Sequence, residues 1–278
     1  MARSQKFKIS SEPDLFWHGE GFPQHIAAIP WAEYHEGHYL LRYVRSRQDL
    51  EAALRLRFQV FNLELGEGLD SSFEVEQDED EFDASCHHLV VIDRKQDQVV
   101  GTYRLQTWEV ATGTRGFYSA TEFDLSLLPP GVLKNSVELG RACIAKQHRN
   151  TQVLFLLWKG IAGYVAYNQK RYLFGCCSLT SQDETEGYHV FEFLQQNGHL
   201  HEGFRVFPRS GFECFSSAGT SSCISEVKLP KLFKIYLRFG AKVCSPPAID
   251  RQFKTIDFLV IFDVDSMESK AHRMLFGS

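Results

Sequence analysis

A chain of 278 residues that is 44% hydrophobic can bury a substantial core, either as one large domain or as a core with an extension. Its formal net charge of −5 lacks the basic field that a nucleic-acid binder uses, which argues against nucleic acid as a partner. Seven cysteines, an odd number with no Cys-x-x-Cys, argue against a disulfide framework, and the N-terminus has no apolar secretion signal, so a cytoplasmic setting is expected.

In chain order, residues 1–37 are irregular, with Pro13, Pro23 and Pro30, and read as an extension that wraps the core; the domain proper is expected over 38–278. Residues 39–45 alternate as a strand does. Ser46 then caps a helix over 48–65, with Leu50, Ala53, Leu54, Phe58, Phe61 and Leu65 on one stripe. The acidic run EVEQDEDEFD, 74–83, reads as a loop. Two strands, 87–93 and 99–108, form a hairpin, and a looser stretch, 109–135, follows. Residues 136–145 read as a buried strand, 153–168 as an apolar helix, and 171–179 as a second buried strand. The apolar run 153–167 includes Lys159 and falls short of the ~18–20 residues that span a bilayer. Helices at 184–197 and 229–239 precede a last strand at 253–264. The order predicts an α/β (α+β) fold, with a mixed, mostly antiparallel central sheet flanked by helices.

Glu138 and Arg141 stand inside an otherwise apolar strand, where ionisable groups need partners or a task. Strict alternation sets them on opposite faces. Gly140 between them suggests a bulge that turns both toward one cleft. A purely structural Glu–Arg pair is the alternative. The loop KQHRNTQ, 146–152, leads into a helix N-terminus, a place that suits phosphate; an ordinary basic connector is the other reading. His87 and His88 are neighbours on a strand, so they point apart and cannot converge on one metal ion. No metal site is expected. There is no Gly-x-Ser-x-Gly elbow, Walker loop or dinucleotide glycine motif.

Several segments in order carry a family resemblance: LRFQVF (56–61), DEFD (80–83), CHHLVVID (86–93), VVGTYRL (99–105), GFYSATEFDL (116–125), VELGRACI (137–144), LLWKGIAGYV (156–165), YLFGCCSL (172–179) and FKTIDFLVIFD (253–263). Over roughly residues 40–265 the chain resembles the GCN5-related N-acetyltransferase superfamily. Within it, the likeness is to the branch that uses acyl carrier protein: L-ornithine N-acyltransferases, hemolysin-annotated relatives and N-acyl amino acid synthases. The resemblance implies splayed strands that form an acyl-donor cleft. The donor would be an acyl-phosphopantetheine thioester, used as co-substrate with no permanent cofactor. The phosphate loop lacks the glycines of coenzyme A-using relatives, which favours acyl carrier protein over acyl-CoA. His148, Arg149, Asn150 and Thr151 would meet the phosphopantetheine.

A more distant likeness to acyl-homoserine-lactone synthases matches Arg57, Phe61, Asp80, Asp83, Arg104, Glu138 and Arg141 to site positions there. The tryptophan those enzymes carry after the first helix is absent. On this reading backbone N–H groups at 139–141, which include Leu139 and Gly140, stabilise the oxyanion, and Glu138 is the base. Arg104 or Arg141 holds the acceptor carboxylate, and Asp80 and Asp83 hold a cationic acceptor group. Phe82, Trp108, Phe117, Phe123, Leu156 and Trp158 are candidate walls for the acyl chain. The expected function is transfer of a long-chain acyl group, with or without a 3-hydroxyl, from acyl carrier protein to the α-amine of ornithine, glycine or a similar amino acid. An amphipathic product also makes peripheral contact with the inner face of the membrane an expectation. The alternatives are a non-catalytic thioester-binding module and a short-chain acetyltransferase that uses acetyl-CoA.

Overall fold

The computed structural model describes residues 21–215 and 227–276. Among these residues nine strands form one sheet: β1 (Tyr34–Glu36), β2 (Tyr39–Tyr43), β3 (His87–Asp93), β4 (Gln98–Thr107), β5 (Ser136–Ile144), β6 (Tyr172–Leu179), β7 (Lys242–Val243), β8 (Ala248–Asp250) and β9 (Thr255–Asp263). The helices are α1 (Arg47–Phe58), α2 (Ser72–Val75), α3 (Trp108–Thr112), α4 (Pro130–Lys134), α5 (Thr151–Tyr167), α6 (Glu184–Gln196), α7 (Lys231–Arg238) and α8 (Ser269–Phe276). The spatial order is β1-β2-β3-β4-β5-β6-β9-β7, with β8 also paired to β9. Every pairing is antiparallel except β5 with β6. The mixed, mostly antiparallel sheet flanked by helices is therefore the architecture that the element order predicts.

Local chemistry explains most of the boundaries. Ser46 accepts from the Asp49 amide and starts α1, as its position before the apolar stripe suggests. The helix continues to Leu65, but Gln59–Leu65 winds as π-helix, a wider turn than the sequence pattern foretells. Asn150 caps α5 by accepting from Val153 N at 3.0 Å. On one face of the sheet, α5 packs Val153, Leu156, Leu157 and Ile161 into the main core, which also takes Leu41, Leu89, Val137 and Phe258. On the other face, Phe117, Phe123, Phe174, Leu259 and Ile261 form a second cluster under the 109–135 stretch. That stretch holds α3 and α4 joined by 3-10 turns, so it is more ordered than its turn-rich sequence suggests.

Of the expected N-terminal extension, residues 1–20 lie outside the described residues. Tyr34–Glu36 within it is not irregular; it adds an edge strand to β2. Three residues are too few to show a period. Among the described residues, no helix is long and apolar enough to cross a membrane.

The sheet opens at one place. β5 and β6 pair only over Ser136–Tyr172, Val137–Leu173 and Glu138–Phe174. Beyond Glu138, β5 stays with β4 while β6 stays with β9. Gly175 marks the fork. A Cβ there would lie 2.2 Å from the Leu139 carbonyl oxygen, so only glycine admits the backbone contact at which the strands part.

Candidate active site

A cavity of about 330 Å³ passes through this fork. The volume is on the scale of sites that hold small ligands. Because side chains alternate along a strand, a gap between two strands exposes both sheet faces to one space. On the helix side the wall is apolar and includes Leu105, Trp158, Leu173, Phe233, Phe239 and Phe262. Trp158 meets Phe239 at a ring distance of 4.9 Å, and Tyr236 of α7 bonds to Tyr103 beneath it. Of the residues expected to line an acyl channel, Trp158 alone does so. Leu156 belongs to the main core, Trp108, Phe117 and Phe123 to the second cluster, and Phe82 packs edge-on to Tyr118.

The opposite wall is charged. It carries Arg104, Gln106, Glu122, Glu138, Arg141 and Asp257. Leu139, Gly140 and Phe61, all expected at the site, also line the cavity. Glu138 and Arg141 reach it together because β5 does bulge. Thr102 faces Cys143 and Arg104 faces Gly140, so β5 spends one more residue than β4 over this span. The residue that takes the unusual conformation is Arg141, at φ +48°, not Gly140 as the sequence suggests. The Arg141 guanidinium lies between the rings of Tyr118 and Phe253, 4.7 and 4.3 Å from their centroids, which rewards that conformation.

Glu138 is 5% exposed. Its two oxygens accept from Tyr118 N at 2.8 Å and Ser119 N at 2.6 Å. Burial raises its pKa above the ordinary glutamate value, against the opposing pull of these bonds.

Arg57, Asp80 and Asp83 sit differently from the expectation. They form a buried network with Asp78, Arg104 and Arg141. Arg57 donates to Asp78 at 2.7 Å and to both oxygens of Asp83 at 2.6 and 3.0 Å. Arg104 donates to Asp80 at 2.6 Å and Asp83 at 3.0 Å, and Arg141 donates to Asp80 at 2.8 Å. Burial alone would raise the Asp83 pKa, but Arg57 and Arg104 overcome it and hold the carboxyl below its ordinary range. The acidic run is therefore no solvated loop at these positions. Asp80 and Asp83 are committed to arginines and do not line the cavity. The physical reason is tertiary: α1, β4 and β5 each bring one guanidinium group, those of Arg57, Arg104 and Arg141, to bear on residues 78–83, a meeting that spacing along the chain does not reveal.

The loop before α5 also falls outside the cavity wall. Arg149 grips Glu64 with both terminal nitrogens at 2.6 and 2.8 Å. His148 and Asn150 both bond to the Tyr39 hydroxyl, and Thr151 is the first residue of α5. His87 and His88 do point apart. The first bonds to Tyr164 and Gln24, the second to the Asp83 carbonyl.

Sequence reading passes over one group entirely. Glu122, Asp250 and Asp257 bring carboxylate oxygens within 4.8 Å of one another, all three buried. Burial, then Asp257 and Asp250, push the Glu122 pKa well above its ordinary value. Burial likewise pushes Asp257 up to about 6. Glu122 lies in GFYSATEFDL and Asp257 in FKTIDFLVIFD, 135 positions apart in the chain but joined by β6 in space. A lone acid in an apolar strand, as Asp257 is, was the available signal.

A mixed sheet forked between two parallel strands, with an apolar wall on one side of the cavity and buried acids and arginines on the other, is the splayed-strand cleft that the resemblance to the GCN5-related fold implies. An acetyltransferase (GNAT) domain model matches residues 56–159. The L-ornithine N(alpha)-acyltransferase of Brucella abortus is 32% identical over 243 residues, 83% of this chain and 86% of that protein. The Rhodobacter capsulatus enzyme of the same name is 32% identical over 86% of this chain and 94% of its own length. A solved N-acyl amino acid synthase from uncultured soil microbes is 12% identical, with a TM-score of 0.48 over 84% of this chain and 93% of that one. The chain belongs to the L-ornithine N(alpha)-acyltransferase family and is an N-acyltransferase.

Proposed function

We propose that the chain moves a long-chain acyl group from the thioester of acyl carrier protein to the α-amine of ornithine. The observation that carries this reading is the cavity through the β5–β6 fork, apolar on the helix side and charged on the other. An acyl chain and an amino acid can enter it from opposite faces and meet at the fork. Past Glu138 the β6-side edge of β5 has no strand partner among the described residues, so the extended pantetheine arm can lie along it. The amine nitrogen attacks the thioester carbon, backbone N–H groups at 139–141 meet the developing oxyanion, and the carbon–sulfur bond breaks. Glu138 takes the proton from the amine, directly or through water, and the departing thiolate regains one. Arg104 and Arg141 hold the acceptor carboxylate.

A glycine-free loop before α5 supports a carrier-protein donor, which presents one phosphodiester rather than a pyrophosphate. The amphipathic product favours release beside a membrane. Lipid extracts from cells that express the chain should contain a species equal to ornithine plus a fatty acyl group minus water. Purified protein should release thiol faster from acyl carrier protein than from acyl-CoA. No thiol release from either donor with ornithine present would leave a binding module instead.

A further inference from the structure

The charged wall of the cavity holds more than the arginine network. Glu122 is 1% exposed and Asp257 3%, and both face the cavity; Asp250, 6% exposed, stands behind them. Among the described residues none of the three forms an ion pair with a lysine, arginine or histidine. Asp257 accepts from the Ser178 and Thr255 hydroxyls, and Asp250 accepts from Gln252 N, Phe253 N and the Tyr118 hydroxyl. Glu122 accepts from the Tyr118 hydroxyl and touches Cys176 Sγ at 3.9 Å. Arg141 attracts Glu122 and Asp257 through space but pairs with neither, and three carboxylates out of water without a paired cation are costly, so a structure keeps such a group where something else supplies the charge.

A second, independent observation lies on the same wall. Gln106 is 1% exposed, and its Oε1 has no hydrogen-bond partner; Arg104 is 4% exposed, and its Nη2 has none either. Both side chains line the cavity. One buried acceptor and one buried cationic donor are thus unsatisfied in a space that also holds acids with no paired cation. A ligand that carries both an ammonium and a carboxylate satisfies them together.

Ser119 connects this wall to the proposed base. Its amide bonds to Glu138 at 2.6 Å, and its hydroxyl accepts from Cys176, the residue that touches Glu122. The acids therefore lie one short loop from the point of acyl transfer.

We infer that Glu122 and Asp257, backed by Asp250, bind the side-chain ammonium of a diamino acid acceptor while Arg104 takes its carboxylate, so that this cluster selects a dibasic over a neutral amino acid. The inference rests on the acyltransfer reading above and assigns the cationic group to these residues instead of Asp80 and Asp83, whose oxygens are held by arginines. Norvaline, which has the ornithine skeleton without the second amine, is the discriminating probe. With acyl carrier protein as donor, the full chain should use ornithine over norvaline by about 10²-fold or more in kcat/KM, the scale of discrimination when a buried polar site is left unpaired. Glu122→Gln and Asp257→Asn should each cut that ratio at least about tenfold, mainly through the KM for ornithine, and Glu122→Asp should restore part of it. Ornithine alone should raise the thermal midpoint of the wild type and do so less in Glu122→Gln, a readout independent of turnover. An unchanged ratio in folded Glu122→Gln and Asp257→Asn overturns the inference and leaves acyl transfer intact. Transfer to neither acceptor by the wild type instead removes the reading beneath it. Tight binding of Mg2+, Ca2+ or Mn2+ to chelator-treated protein, lost in Glu122→Gln, also overturns it and makes the cluster a metal site.

Discussion

Arg57 and Asp83 meet end to end, two nitrogens on two oxygens at 2.6 and 3.0 Å, with neither side chain more than 1% exposed. A buried pair of this kind contributes little net attraction relative to an apolar pair, but removal of one partner strands the other charge. Asp83→Asn should therefore destabilise the protein by about 3–5 kcal/mol. A urea unfolding curve checks this. An unmoved midpoint together with a raised KM for the acceptor would instead restore Asp83 to direct substrate contact.

The fork depends on Gly175. Its missing side chain leaves room for the Leu139 carbonyl, and a Cβ at 2.2 Å from that backbone oxygen has nowhere to go. Gly175→Ala should force β5 and β6 apart at their last pairing or tilt the Leu139 peptide. Expected is a loss of at least about tenfold in kcat with a smaller change in acceptor KM, since mispositioning acts on the transition state. Wild-type kcat in this variant would show that the fork does not position the reacting groups.

Glu138→Gln should lower turnover by about 10²-fold or more, the range for loss of a general base. The amide also sets an N–H donor against Tyr118 N or Ser119 N, both of which now donate to the carboxylate. Structural and chemical effects separate in the pH profile. If Glu138 is the base, the acid limb of the kcat profile disappears in Glu138→Gln. If it only anchors the 118–119 loop, the limb stays and the whole curve drops.

Glu122 yields a prediction with an unusual sign. Its folded pKa is raised above the ordinary value of 4.5 by burial and by Asp257 and Asp250. Below 4.5 both folded and unfolded forms hold the proton, and the group costs nothing. As pH rises, the unfolded chain releases its proton first, so stability falls until the folded value is passed. Glu122→Gln removes that loss. Thermal midpoints of variant and wild type should coincide near pH 4 and separate as pH rises toward 8, with the variant the more stable. A variant less stable than wild type at pH 8 would mean that the carboxylate is a structural anchor. A gain in stability with a loss of selectivity is the pattern of a site kept strained for function.

The amino-acid order by itself determined the long elements and their type. Apolar stripes with a Ser46 cap marked α1, the hairpin at 87–107 and the apolar helix after residue 150 stood out, and the strands around residues 140, 175 and 259 read as continuous apolar runs. Those signals are local, because periodicity and caps act within a few turns of chain. Glu138 and Arg141 were legible for the same reason, as charges inside an apolar strand. Tertiary structure decided the rest. Whether an acid run is solvated or locked by arginines depends on which strands deliver the guanidinium groups. The bulge falls on Arg141 and not on the glycine beside it because Tyr118 and Phe253 clasp the guanidinium there. Glu122 and Asp257, 135 positions apart, become one site only when β6 and β9 pair and the 117–123 turn folds over them. Charge repulsion and burial act through space, and that distance is set by the sheet, not by the sequence.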